Sequence, residues 1–234
     1  MTLILENIEK ELKRRHQYSY KWFRKQNDTW DNYTNFIYQT SSWDTLIRKL
    51  AILVEMHDFD KQQVFQYAAN RWYNFWSAQA VEQIFTEIEG IDPIPEAKDS
   101  EKDFYLFGIP FDHKTSVFPK QFNQTFEYAQ THKAELIEWL YKNQSTQKRH
   151  HFKNRLFIVV YAENGEHWKL KAEIGLLKCY SKIYSDFQAG AVAIIYFCCR
   201  TANFNRYYLG FQMNYIGSKH KLSNFIFENL KHSF

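Results

Sequence analysis

Glycine, proline and cysteine are scarce in this chain of 234 residues, which has seven glycines, four prolines and three cysteines. No glycine or proline falls within residues 1–89, and so long a stretch without helix breakers favours helices. The three cysteines form no CxxC pair, which argues against a disulfide framework and for a reducing compartment.

Long apolar runs are missing as well. No stretch of about 18 apolar residues is present, so we expect no transmembrane helix. The N-terminal run MTLILENIEK is interrupted by Glu6 and is too short for a signal peptide. Together with the cysteine content, these absences predict a cytoplasmic protein without a membrane partner.

Several familiar catalytic motifs are not found. The sequence contains no HExxH, no GxxxxGK[ST] and no GxGxxG, so it gives no support to a zinc protease, a P-loop NTPase or a dinucleotide-binding enzyme. Its nine histidines are scattered without metal-ligand spacing, which makes a zinc site unexpected. Asp58 and Asp60 precede a helical pattern and are interpreted as helix caps rather than ligands.

Aromatic residues are abundant, at 19% of the chain, and the net charge is +4. Buried rings are the common explanation, and base stacking in a nucleic-acid groove is the alternative. Two basic clusters occur, one within residues 10–25 and one within 147–155. Either cluster is compatible with a polyanionic partner, although a solvated surface is the more frequent explanation of such a cluster.

The order of patterns predicts a mixed α/β fold. Residues 1–89 have helical periodicity, broken at 27–32 and 39–44, and residues 90–103 form a loop with a short edge strand. Because two apolar strands flank a helix of about twenty residues, we expect them to form a parallel pair in a covered sheet. The predicted regions are an N-terminal helical region at 1–62 and one compact α/β core at 63–234. The predicted later elements are strands 103–107 and 111–118, helix 124–143, strand 155–162, helix 167–187, strand 191–200, a strand at 206–215 and a helix at 222–231.

The stretch DFYLFGIPFDHKTS, residues 103–116, combines acidic, basic and apolar residues in what the pattern predicts to be a hairpin. If Gly108 and Ile109 are the central turn residues, Asp103 faces Lys114 and Tyr105 faces Asp112. Since side chains alternate along a strand, Asp103, Asp112 and Lys114 then share one face. Phe104, Leu106, Phe111, His113 and Val117 are expected on the opposite, core-facing side.

Two carboxylates on one face of a hairpin suit a hard divalent cation such as Mg²⁺, with Mn²⁺ as a substitute. The backbone carbonyl of His113 is a candidate third ligand. Lys114 would lie beside the water that the ion activates, a combination suited to phosphodiester hydrolysis. An ordinary Asp–Lys pair across a solvated hairpin is the alternative.

The segment KDFYLFGIPFDHKTS resembles the core of the PD-(D/E)XK nuclease superfamily, which has the restriction-endonuclease-like fold. The resemblance covers about residues 75–200 and implies an αβββαβ core with a mixed sheet. It matches Asp103 to the first acidic residue and Asp112, His113 and Lys114 to the D-x-K triplet. Glu82 is the best match to the family's helix-borne metal ligand, and Glu87 is the second. Lys102 replaces a frequent proline, and the loop before it leaves room for only a short first strand.

The resemblance implies a Mg²⁺-dependent deoxyribonuclease, with endonuclease activity favoured, whose catalytic residues are Asp103, Asp112, Lys114 and Glu82. DNA is the expected partner, and a homodimer is compatible with the family. Gln144, Gln147, Arg149, Lys171 and Lys178 are candidate contacts for DNA phosphates, or else belong to polar surface. A non-catalytic nucleic-acid-binding protein on the same scaffold and a protein-interaction domain with exposed aromatic residues remain alternatives.

Overall fold

The computed structural model describes residues 4–25, 29–88, 91–94, 102–106, 108–143, 155–175, 192–201, 204–208 and 211–215. The chain divides into two compact units. A helical unit consists of Met1–Glu87 with Lys171–Ser181, and a sheet unit consists of Ile88–Leu170 with Lys182–Phe234.

The described N-terminal residues of the helical unit form helices and no strand, as the lack of Gly and Pro predicts. Asp60 caps the longest helix by accepting the Gln63 N–H at 2.7 Å, and Asp58 ends the preceding helix in the left-handed conformation, with φ 49°. The capping role predicted for this acidic pair is therefore confirmed. The helices are α1 (Leu5–Lys13), α2 (Trp30–Thr34), α3 (Trp43–His57) and α4 (Lys61–Thr86), with 3₁₀ turns at Arg14–Gln17 and Asn35–Gln39.

Helix α4 belongs to the helical unit rather than to the sheet unit. Its side chains at Tyr67, Trp72 and Tyr73 are fully buried, and α1 and α3 both pack against it. The boundary predicted between residues 62 and 63 falls in the first turn of this helix, and the observed division follows Glu87 instead. The reason is packing: rings along α4 form the core that the shorter helices cover.

The sheet unit confirms the mixed α/β prediction. A seven-stranded sheet has the order β1-β2-β3-β4-β5-β6, and β7 also pairs with β5. Strands β4 and β5 are parallel, as predicted for the two apolar strands; β3 is also parallel to β4, and the other pairs are antiparallel. The strands are β1 (Ile91–Pro93), β2 (Phe104–Leu106), β3 (Ile109–Val117), β4 (Arg155–Ala162), β5 (Val192–Thr201), β6 (Phe204–Tyr208) and β7 (Phe211–Tyr215).

Helices α5 (Phe126–Thr131) and α6 (Lys133–Asn143) cover one face of this sheet. Leu136, Ile137 and Leu140 of α6 form an apolar cluster with Phe157 and Val159 of β4. The predicted single helix 124–143 is thus two helices. The hydroxyl of Thr131 donates to the Tyr128 carbonyl at 2.9 Å, and this local hydrogen bond marks the break at His132.

The predicted hairpin register is wrong by two residues. Tyr105 pairs with Pro110 and Leu106 with Ile109, so continuing the pairing by one residue places Asp103 opposite Asp112 rather than Lys114. The physical reason is the turn. Gly108 adopts φ +77°, a conformation that glycine tolerates, and the β-branched Ile109 enters the strand instead of the turn. A slip of two residues leaves every side chain on its predicted face.

Burial supports the predicted faces of the hairpin. Phe104 and Phe111 are buried and their rings stack at 6.3 Å, while the His113 side chain is only 4% exposed. Val117 was expected to face the core as well, but it is 36% exposed. It is the last residue of β3, where the strand ends and solvent reaches its side chain.

Three further expectations concern the second half of the chain. The predicted strand 206–215 is divided between β6 and β7, which pair with successive parts of β5. The predicted helix 167–187 begins as a 3₁₀ turn at His167–Ala172, and residues 176–187 lie outside the described residues, as does the predicted helix at 222–231.

Among the described residues, no helix combines the length and apolar character needed to cross a membrane.

Replacement of Gly108 with alanine should lower the free energy of unfolding by about 1 kcal/mol, because a Cβ disfavours positive φ. Apart from Gly108 and its two chain neighbours, no heavy atom of the described residues lies within 4 Å of the position that this Cβ would occupy, so the loss would come from the backbone. Urea unfolding measures it. Gly108→Asn is the matched variant and should lose less, since asparagine tolerates this conformation. Equal stability of Gly108→Ala and the wild type would contradict the assigned turn.

Candidate functional site

The parallel pairing of β3 with β4 builds a polar site next to an apolar cluster. Asp112 pairs with Arg155, and Lys114 pairs with Phe157, so these side chains share the sheet face that α5 and α6 cover. Phe157 is completely buried in the cluster, whereas Asp112 and Arg155 lie where β4 begins and keep 27% and 14% of their side-chain surface exposed. The site is therefore a polar end to a covered sheet.

Two carboxylates meet at the centre of this site. Asp103 directly precedes β2, and extending the β2–β3 register by one residue places it opposite Asp112 of β3. The two carboxyl groups are within hydrogen-bonding reach of each other. Each keeps about 30% of its side-chain surface exposed, 32% for Asp103 and 27% for Asp112. Like charges this close repel, so the pair must share a proton or attract a cation.

The pKa values of the two carboxyl groups shift in opposite directions. Burial would raise the pKa of Asp103, but hydrogen bonds from the His113 ring and backbone N–H outweigh it, and the pKa is lowered. Burial raises the pKa of Asp112, and the charge of Asp103 adds to this effect against the attraction of Arg155. Asp103 is thus the carboxylate that stays ionised, and Asp112 is the one that retains a proton more readily.

His113 fixes Asp103 in place. Its backbone N–H donates to Asp103 Oδ2 at 2.6 Å, and its ring Nδ1 lies 3.2 Å from the same oxygen. The buried ring confirms that His113 points into the core, as predicted. Its Nε2 has no hydrogen-bond partner among the described residues.

Lys114 follows Asp112 by two residues on the same face of β3. Burial lowers the pKa of its ammonium group, and the nearby Arg155 charge lowers it further against the attraction of Asp112. A lysine whose pKa is lowered in this way gives up a proton more readily than a solvated one.

Arg155 is the site residue that sequence reasoning did not single out. Its guanidinium pairs with Asp112 Oδ2 at 2.6 Å and lies 5.7 Å from the ring of Tyr141 on α6. Burial raises the pKa of the Tyr141 phenol to about 12. The signal was present in the sequence: Arg155 is the first residue of a predicted buried strand, and parallel pairing with the hairpin places that position beside Asp112.

The two glutamates considered as a further metal ligand both lie in the helical unit. Glu82 is on α4, and its carboxylate accepts a hydrogen bond from Gln79 at 2.9 Å. Glu87 follows the end of α4 and accepts from Gln83 at 3.1 Å. The choice of Glu82 as ligand stays a prediction.

The predicted DNA contacts are described only in part. Lys171 donates to Asn74 Oδ1 at 3.2 Å, which ties it to α4 within the helical unit. Gln144, Gln147, Arg149 and Lys178 lie outside the described residues. These five contacts also remain predictions.

The carboxylate pair offers a cation oxygen ligands of the kind that Mg²⁺ prefers. Within the described ranges no group of three or more His, Cys, Asp and Glu side chains is arranged to hold a metal ion, so this site offers two carboxylates only. Backbone oxygens and water would complete an octahedron, and Mg²⁺ normally retains several waters. The donor set therefore fits Mg²⁺ better than zinc, which takes nitrogen and sulfur ligands.

Comparison with known proteins finds no match among protein-family models, among curated proteins or among solved structures. The function is therefore inferred from the chemistry of the site.

Neutralising Asp103 should destabilise the fold at neutral pH. The lowered pKa means that its contribution is present above the unfolded value of about 3.9 and is lost as the pH falls through the lower folded value. Asp103→Asn in EDTA should cost about 1 kcal/mol at pH 7 and less at pH 3 in urea unfolding. Asp92→Asn, at an exposed position of β1, is the matched control and should change little. If Asp103→Asn loses the same free energy of unfolding at both pH values, the assignment of Asp103 as an ionised carboxylate is contradicted.

Proposed function

We propose that this chain is a Mg²⁺-dependent deoxyribonuclease that resembles the PD-(D/E)XK nucleases with their restriction-endonuclease-like αβββαβ core. The observation that carries the proposal is the juxtaposition of Asp103, just before β2, and Asp112 on β3, with Lys114 two residues beyond Asp112 on the same face. Repulsion between two carboxylates lowers the stability of the fold, whereas the same two carboxylates beside a lysine can bind a divalent cation and support catalysis.

The order of elements also supports the proposal. Along the chain come α4, the antiparallel strands β1, β2 and β3, the helices α5 and α6, and then β4, which is parallel to β3. The first strand has only three residues, as the short loop before Lys102 predicted. This is the sequence of elements that the resemblance implies.

Asp103, Asp112 and the His113 carbonyl are the proposed ligands of Mg²⁺, with Mn²⁺ as a substitute. The Phe111 carbonyl accepts the Asp103 N–H at 2.7 Å, and the His113 N–H donates to the Asp103 carboxylate. Because the N–H and C=O of a strand residue point to the same side, the His113 carbonyl faces the side of Asp103 as well. When bound, Mg²⁺ supplies Lewis acidity and lowers the pKa of water beside the phosphodiester.

Lys114 is the proposed proton-transfer and charge-stabilising residue. Burial and the Arg155 charge lower its pKa, so it releases a proton at a smaller energetic cost than an exposed lysine. Its position next to Asp112 also brings a positive charge to where the phosphodiester becomes more negative.

Arg155 is proposed to contact the phosphate. In the structure it neutralises Asp112, which would otherwise be one of two unbalanced carboxylates. When a divalent cation balances the carboxylates, the planar guanidinium is available for a bidentate contact with phosphate oxygens.

The same ion pair favours a second candidate function, a non-catalytic nucleic-acid-binding protein. Since Arg155 already balances one carboxylate at 2.6 Å, the site has a satisfied state that needs no metal. Such a protein would bind DNA with affinity that falls steeply with salt and would release no products with any divalent cation.

Lys114→Ala should lower the rate of DNA cleavage at least about a hundredfold, because removal of a residue that transfers protons has effects of that size. The measurement is nicking and linearisation of supercoiled plasmid with Mg²⁺, with Mn²⁺ and with EDTA. Lys142→Ala is the matched control, since this lysine on α6 is 74% exposed, and it should cleave at the wild-type rate.

Two outcomes would contradict the proposal. Cleavage by Lys114→Ala at the wild-type rate would remove the role given to this lysine. Binding of plasmid by the wild type without cleavage under all three conditions would establish the non-catalytic alternative.

A further inference from the structure

The structure separates the N-terminal basic cluster into cations that hold the fold and cations that face solvent. Lys13 pairs with Glu9 and Glu173, and Arg14 pairs with Asp44. Arg15 is fully buried, and its guanidinium donates to Gln66 and Asn70. These three residues are used within the helical unit. Lys10 is exposed on α1, and the other basic residues of the cluster lie in the segment KWFRK, residues 21–25, between the 3₁₀ turn that ends at Gln17 and α2.

Buried amides fix the backbone of this segment. Asn70, which is completely buried, donates through Nδ2 to the Lys21 carbonyl at 2.7 Å. The Lys21 N–H donates to Gln66 Oε1 at 3.4 Å. The segment is not in regular secondary structure, yet its start is held by the same two side chains that hold Arg15.

Alternate side chains of the segment point inwards. The Trp22 ring packs edge-on against Tyr67 at 6.0 Å. The Arg24 guanidinium lies 4.3 Å from the centre of the Trp30 ring. Both residues are half-buried, so the inward contacts orient the residues between them.

The remaining three side chains, Lys21, Phe23 and Lys25, are exposed. Phe23 keeps 46% of its surface in solvent, and with Trp22, Arg24 and Lys25 it lines an open cavity of about 420 Å³. Neither lysine ammonium forms an ion pair with another of the described residues. The result is an exposed ring between two exposed cations on an anchored backbone.

A ring between cations matches the chemistry of single-stranded nucleic acid. Its phosphates attract lysine, and its unpaired bases present flat faces that stack on aromatic side chains. A duplex offers phosphates but keeps its bases stacked on one another, and an acidic polypeptide offers charge without bases. We propose that Lys21, Phe23 and Lys25 form a binding site for single-stranded nucleic acid, with Phe23 stacking on a base and the lysines contacting phosphates.

This site does not depend on the proposed nuclease function. It lies in the helical unit, it uses no carboxylate, and its binding requires no metal. Experiments in EDTA therefore test it whether or not the chain cleaves DNA.

The test is fluorescence anisotropy with labelled oligo(dT) and oligo(U) in EDTA, using the full chain. Phe23→Ala should weaken binding about tenfold and leave the salt dependence unchanged, because stacking is not electrostatic. Lys21→Ala and Lys25→Ala should each reduce the slope of log affinity against log salt by about 0.7. Phe23→Leu keeps an apolar side chain without the ring and should weaken binding nearly as much as Phe23→Ala.

Lys10→Ala, at an exposed position of α1 outside the segment, is the matched control and should bind like the wild type apart from a small effect of net charge. Binding to oligo(dT), oligo(U) or both supports the site and tells whether the sugar is read. Wild-type affinity in Phe23→Ala would overturn the proposal. So would a loss of duplex binding in Phe23→Ala as large as the loss of single-strand binding, or polyglutamate that competes as well as the oligonucleotides.

Discussion

The repulsion between Asp103 and Asp112 is the constraint around which the sheet unit's polar site is arranged. The hairpin places the two residues opposite each other, and each carboxyl group has its own partner, His113 for Asp103 and Arg155 for Asp112. The two partners come from different strands, so the site depends on the antiparallel β2–β3 pair and on the parallel β3–β4 pair at once. In this arrangement the pKa of Asp103 is lowered and the pKa of Asp112 is raised.

The helical unit contains a buried cation, Arg15, whose charge must be stabilised without water. Arg15 has no exposed surface, and burial lowers its pKa to about 10. Backbone carbonyls of Tyr18 and Ser19 and the side chains of Gln66 and Asn70 accept its hydrogen bonds. Neutral acceptors replace the water that the guanidinium loses. The same network fixes the start of the segment that presents Lys21, Phe23 and Lys25, which links the stability of this unit to its exposed surface.

Much of this architecture can be read from the sequence, and the exceptions have physical causes. Helices make up most of the described part of residues 1–89, where no Gly or Pro occurs, and 155–162 is a buried strand because of its unbroken apolar run. The hairpin faces were predicted correctly although its register was not. Turn geometry at Gly108 decides the register, and a slip of two residues keeps the alternation of side chains.

Contacts between distant segments were harder to predict. Arg155 lies far from Asp112 along the chain and meets it only through the order of the strands in the sheet. The hydrogen bond from the His113 N–H to Asp103 likewise depends on where the hairpin pairing ends. The division after Glu87 follows from rings along α4 whose packing partners the local pattern does not specify. Local periodicity therefore predicts elements and faces, and tertiary pairing completes the site.

The central claim is that Asp103 and Asp112 hold a divalent cation together, and titration calorimetry with Mn²⁺ tests it most directly. The wild type should bind one Mn²⁺ at this site, and both Asp103→Asn and Asp112→Asn should abolish that binding. Glu138→Gln, which removes an exposed carboxylate of α6, should bind like the wild type. Absence of Mn²⁺ binding by the wild type, or unchanged binding in both aspartate variants, would contradict the account.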